Sequence, residues 1–114
     1  MTTNVWIVNK RNHNYKDAGK YGNIKALTSG KINIFKTQTL AQEIKNILDI
    51  YATEDDYIVL AGYIVANIIA VHYFLAKFGK ANILIWDANH NRYVKSTITE
   101  FMELDKLNTN MLKY

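Results

Sequence analysis

Apolar residues fall along this chain in short unbroken runs, separated by polar segments rich in Asn, Gly and Lys. Val5-Trp6-Ile7-Val8 places four apolar residues in a row, which predicts a strand covered on both faces. The polar segment from Asn9 to Asn23 carries Gly19 and Gly22 and reads as a loop with one short helical turn. Ile24–Thr28 and Lys31–Phe35 are β-type runs separated by Ser29-Gly30, a two-residue spacer that predicts a hairpin. Thr39-Leu40-Ala41-Gln42 matches a capping box, in which the Thr hydroxyl and the Gln side chain satisfy first-turn amides. Leu40, Ile44, Ile47, Leu48 and Tyr51 then repeat on one helical face, with Glu43, Lys45 and Asn46 opposite.

From Tyr57 to Ala76 no charged residue occurs, about twenty positions and enough to cross a bilayer. Asp55 and Asp56 abut this stretch, Gly62 interrupts it, and Asn67 and His72 lie within it, so a soluble reading is preferred. Tyr57–Leu60 is then a buried strand, Ala61-Gly62 a turn and Tyr63–Phe78 a helix closed by Gly79. That helix is apolar on nearly every side, more than one small domain covers, which points to a second subunit. Ala81–Trp86 is another continuous strand, Ala88–Asn91 a turn, and Arg92-Tyr93-Val94 a returning edge strand. Thr97-Ile98-Thr99-Glu100 is a second capping-box match, opening a helix with Phe101, Leu104, Leu107 and Met111 near one face. The strand-helix-strand unit from Tyr57 to Trp86 predicts parallel strands. The expected architecture is a single α/β domain over residues 1–114, Rossmann-like. Its central sheet is mostly parallel, with a hairpin and with helices on both faces. The C-terminal helix, about 97–112, lies at the periphery or at a subunit interface.

Composition narrows the class. The 114 residues include no Cys, which excludes a disulfide framework, a thiolate metal site and a cysteine nucleophile. The N-terminus lacks a basic segment followed by a long apolar run, so no signal peptide is read and a cytoplasmic location is expected. Lys and Arg exceed Asp and Glu by 14 to 10, a net charge of +4 that favours anionic partners without naming one. No basic run or recognition motif supports nucleic-acid binding, and no membrane association is expected.

In open α/β sheets ligands bind beyond the carboxyl ends of the parallel strands, where helix N-termini offer free amides. Those ends carry Lys10, Arg11 and His13 after the first strand, Gly62 and Tyr63 after the central one, and Asp87 after the last long one. Lys10 and Arg11 suit phosphate, and Asp87 suits a sugar hydroxyl or a base. Neither G-x-G-x-x-G nor G-x-x-x-x-G-K-[ST] surrounds Gly62, which argues against an ordinary dinucleotide enzyme or NTPase. His13 with Asp17 is the one base-and-orienter pair for hydrolysis. No histidine pair has metal-ligand spacing, so neither metal nor cofactor is expected; His72 reads as a packed or interface residue. Asn67 reads as a bonding partner for buried backbone. Among the 8 Tyr residues, Tyr63 and Tyr21 are best placed to stack on a base.

A sparse pattern runs through these residues: His13, Asp17-Ala18, Tyr21-Gly22, Leu27-Thr28-Ser29-Gly30, Asp56-Tyr57, Leu60-Ala61-Gly62, Phe78-Gly79, Asn82 to Asp87, and Tyr93. It resembles a group of small uncharacterised phage-encoded α/β proteins, from the first strand to about Val94 with the C-terminal helix outside. The resemblance implies a viral accessory protein in the host cytoplasm and supplies no activity. The leading expectation is a non-enzymatic homodimer. It would hold a small nucleotide-like anion through Lys10, Arg11, His13, Gly62, Tyr63 and Asp87, sequestering a host defence signal. The alternatives are a protein-interaction module that inhibits a host factor, and a small phosphodiester hydrolase using His13 and Asp17.

Overall fold

The structure, a computed structural model, describes residues 2–33 and 35–99. Strand β1 (Asn4–Lys10) is followed by a 3-10 helix (Lys16–Tyr21) and β2 (Asn23–Ser29). Then come helix α1 (Thr37–Tyr51), β3 (Tyr57–Val59) and helix α2 (Ile64–Phe78). Strands β4 (Lys80–Asp87) and β5 (Arg92–Thr99) complete the described elements. They form one five-stranded sheet in the order β2-β1-β3-β4-β5. The first four strands are parallel and β5 is antiparallel to β4.

Strand alternation sorts the core into two layers. Trp6, Val8, Ile58 and Ile83 point to one face, where Leu40, Ile44 and Leu48 of α1 and Ala66, Ala70 and Phe74 of α2 cover them. Val5, Ile7, Val59, Leu84 and Tyr93 point to the other, under Tyr15 and Ala18 of the 3-10 segment. The fold is therefore α/β with a mixed sheet. Among the described residues both α-helices share one face, where helices on both faces were expected, and a 3-10 helix backs the opposite one.

Four local expectations are corrected. Ser29-Gly30 is not a hairpin turn: Ile24 to Thr28 pairs in parallel with β1, and Lys31 to Asn33 forms no strand. The chain needs that segment to leave the sheet and reach α1. The turn expected at Ala88–Asn91 is the hairpin, returning β5 against β4, and Asn91 takes a left-handed φ of 48° that Asn tolerates. Thr39 does not cap α1, which begins two residues earlier behind Lys36 without a side-chain cap, and Gln42 bonds Asn46 at 2.7 Å. Thr97 to Thr99 continue β5 rather than opening a helix, and the Thr97 hydroxyl donates to Asn82 Oδ1 at 2.9 Å. β-branched residues suit that strand. The remainder of the expected C-terminal helix lies outside the described residues.

The uncharged stretch divides as expected into β3, a turn and α2, with Gly79 closing α2 at φ 74°. No helix among the described residues is long and apolar enough to cross a membrane.

At the N-terminal edge of the sheet, Asp56 is fully buried and serves as a hub. Its carboxylate accepts from the Asn4 amide (2.9 Å), Asn4 Nδ2 (3.1 Å), Trp6 Nε1 (2.8 Å), the Thr53 amide (3.0 Å) and the Thr53 hydroxyl (2.7 Å). Burial alone raises a carboxyl pKa, but these donors outweigh it and hold Asp56 below its ordinary value.

Candidate functional site

The direction in which strands are added reverses between β1 and β3, because the chain passes from β1 outward to β2 and then back across to β3. At such a reversal the connections leave in opposite directions and open a crevice beyond the strand ends. A cleft of about 490 Å³ lies there, lined by Asn9, Arg11, Gly30, Lys31, Ile32, Gly62 and Tyr63.

Its floor is built from short polar links. Asn9, fully buried, donates through Nδ2 to the Thr28 hydroxyl (2.9 Å) and the Gly30 carbonyl (3.3 Å), and the Thr28 hydroxyl donates to the Val8 carbonyl (2.8 Å). Asn9 Oδ1 accepts from the Tyr63 amide at 3.4 Å. One side chain thus ties the ends of β1 and β2 to the start of α2. Gly62 sits against Asn9 at φ 73°; a Cβ there would lie 2.6 Å from Asn9 Cβ and 2.7 Å from Cγ. Glycine is required both by the left-handed backbone and by this close approach. Asn67 fixes the loop from below: its Oδ1 accepts from the Ala61 amide (2.9 Å), and its Nδ2 donates to the carbonyls of Ala61 (3.1 Å) and Tyr63 (2.8 Å).

Above this floor the charge is positive. Arg11 and Lys31 line the cleft, and among the described residues neither enters an ion pair. The 15-residue helix α2 begins at the same place without a side-chain cap. Its first-turn amides lack intrahelical acceptors and carry the positive end of the helix dipole.

The structure separates the residues expected to share one rim. Arg11, Gly62 and Tyr63 come together. Lys10 turns to the opposite face, in a groove with Ile7, Tyr15 and Ile24. His13 packs edge-on against Tyr15 (ring centroids 5.0 Å apart) and Trp86 (5.7 Å) on that same face. Asp87 lies three residues beyond the β3–β4 pairing Val59–Leu84, on the order of 10 Å further along the strand. There it braces the hairpin turn, 2.8 Å from His90 Nδ1 and 3.1 Å from the Asn89 amide. His13 and Asp17 line one cleft, yet Asp17 Oδ2 accepts from the Tyr93 amide (2.7 Å) and pairs with Lys20 (3.0 Å). The Tyr93 amide first, and then Lys20, hold the Asp17 carboxyl below its ordinary pKa. Asp17 latches the 3-10 helix to β5, and among the described residues no carboxylate bonds His13. Tyr21 is also committed, its hydroxyl donating to the Tyr93 carbonyl at 3.1 Å.

His72 lies exposed in the groove between α1 and α2 beside Asp49 and Tyr73. No group of three or more His, Asp or Glu residues among those described is arranged to hold a metal ion. Lys31 and Gly30 were missed as site residues because the expected hairpin placed Gly30 in its turn and Lys31 in strand pairing. Gly30 directly after a strand end was the available signal.

The fold and its strand-end clefts define a small α/β protein with no catalytic constellation assembled among the described residues. A family model, Phage Pam3 gp32-like protein, matches residues 3–100, and the chain belongs to that family of phage proteins. No curated protein and no solved structure matches the chain.

Proposed function

We infer that this phage protein is a non-enzymatic accessory binding protein, Rossmann-like in its use of the strand reversal, that holds a small nucleotide-type anion in the cleft between β1 and β3. One observation carries the reading. Arg11 and Lys31, both outside the ion pairs of the described residues, flank the uncapped start of α2 over the bare backbone of Gly62. Two cations and a helix N-terminus attract a phosphate, and Arg offers it two parallel hydrogen bonds. The cleft volume falls in the range of small-molecule sites. Sequestering a nucleotide signal of host defence is a role that suits a phage-encoded binder of such an anion.

A panel of mono-, di- and cyclic nucleotides tested by thermal denaturation addresses this directly. A ligand that binds the folded state raises the midpoint by mass action, by several degrees or more at saturation, on the order of 4–8 °C per kcal/mol for a small domain. Arg11→Glu should abolish the shift while leaving the unliganded midpoint in place. A flat panel would end the nucleotide reading.

The alternative, a module that engages a host protein, is favoured by exposed aliphatic side chains at the start of α2. Ile64 is 71% exposed, Ile68 61% and Leu60 45%. The same side chains support self-association as a homodimer. Stable co-purification with one host protein, lost in Ile64→Asp, would favour the host-factor reading.

A further inference from the structure

The face of the sheet covered by the 3-10 helix carries a second site that the switch-point cleft does not use. Two adjoining clefts of about 600 and 320 Å³ share His13, Asn14 and Lys16 and so form one groove. Lys10 lines one end, Lys16 the middle, and Lys20 the other end beside Trp86. The acid in this groove is Asp17, already paired with Lys20 at 3.0 Å. That pair is neutral as a whole, so the net positive charge of the groove rests on Lys10 and Lys16, which enter no ion pair among the described residues.

Trp86 is 36% exposed on the groove wall, although a tryptophan on a strand is ordinarily covered. Its indole is braced by Tyr93 at 4.9 Å between centroids and 61° between planes, and by His13 at 5.7 Å and 83°. A braced aromatic ring exposed between lysines is the arrangement that single-stranded nucleic acid recognises: bases stack on the ring while the cations follow the phosphates. The sequence shows no basic run because Lys10 ends β1 while Lys16 and Lys20 lie in the 3-10 helix; only the fold aligns them.

We propose that the groove along Lys10, Lys16 and Lys20, with Trp86 and His13 as its aromatic wall, binds single-stranded nucleic acid. Bases stack on Trp86 and phosphates pair with the lysines, independently of any anion held at Arg11 and Lys31. The site is not sequence-specific, since stacking and backbone charge distinguish bases poorly.

The test is fluorescence anisotropy of a labelled oligothymidylate of about eight nucleotides, within the span that single-strand grooves cover, at low and moderate salt. Wild-type protein should bind with an affinity that falls steeply as salt rises. Trp86→Ala should weaken binding about tenfold or more. Lys16→Glu should weaken it and flatten the salt dependence, and Lys16 is exposed, so this variant carries the test should Trp86→Ala not fold. Arg11→Glu should leave strand binding unchanged, which separates this site from the nucleotide cleft. No binding at low salt overturns the proposal. So does wild-type affinity in both folded variants, or thymidine monophosphate binding as tightly as the oligomer.

Discussion

The two ends of the parallel sheet are built on opposite terms. At the N-terminal end, Asp56 draws donors from β1 and from the loop after α1 onto one buried carboxylate. Asn82 closes the same end from β4, its Nδ2 reaching the Asp56 carbonyl at 3.4 Å. At the C-terminal end, Asn9 and Asn67 organise the backbone in much the same way, but the charges above them are cations without protein partners among the described residues. The contrast separates stability from function. A buried charge is tolerable only when its bonding capacity is filled by the protein. An exposed charge without a partner adds little to folding and remains available to a ligand.

The largest effect is expected at the closed end. Asp56→Ala leaves buried donors of Asn4 and Trp6 unsatisfied, each costing about 1–3 kcal/mol, so a loss on the order of 3–4 kcal/mol is expected. Chemical denaturation measures it, and a loss below about 1 kcal/mol would sink the assignment of Asp56 as the hub. The pH dependence has a definite sign. The folded carboxyl lies below its ordinary value, so at acid pH the unfolded chain binds the proton first. The contribution is therefore full above the unfolded value near 4 and is lost as pH falls through the lower folded value. Asp56→Asn should show a shallower acid limb than wild type in a series of melts from neutral pH downward.

These two ends were not equally legible in the sequence. The buried runs Val5–Val8 and Ala81–Trp86, the helix start at Tyr63 and the αL stop at Gly79 are encoded by neighbours, and local pattern finds them. Asn67 was readable as a backbone-bonding residue because a lone amide in an apolar helix must find partners nearby. The Asp56 hub was not readable. Its donors at Asn4 and Trp6 are about fifty positions away, and only Thr53, three residues earlier, is a local partner. The candidate rim was half readable for the same reason. Strand ends could be named, but not the face each following residue takes: Arg11 enters the switch-point cleft while Lys10 and His13 fall on the other side. The two capping-box matches failed for different reasons. Thr97–Thr99 is held in β5 by the hairpin, and α1 starts ahead of Thr39.

An intermediate effect is expected where the open end is rigid. Gly62→Ala forces a Cβ into the Asn9 side chain on a left-handed backbone, a strain of about 1–3 kcal/mol. Asn67→Ala removes three hydrogen bonds from the same loop, and a loss on the order of 1–3 kcal/mol follows. The two changes act on one loop, so their sum should exceed the double variant. Strict additivity, measured by denaturation of all three variants, would show that Asn9 and Asn67 do not work as one support.

The smallest stability effect is expected at the cations themselves. Arg11→Glu and Lys31→Glu alter exposed side chains outside the described ion pairs, and each should move the unliganded stability by no more than about 0.5 kcal/mol. If either change instead destabilised the fold as strongly as Asp56→Ala, the cation would be a structural partner and the open end would be a second closed one. If both leave the fold intact, the positive charge at the start of α2 has no role in holding the sheet together. It is then free to serve the anion proposed for this cleft.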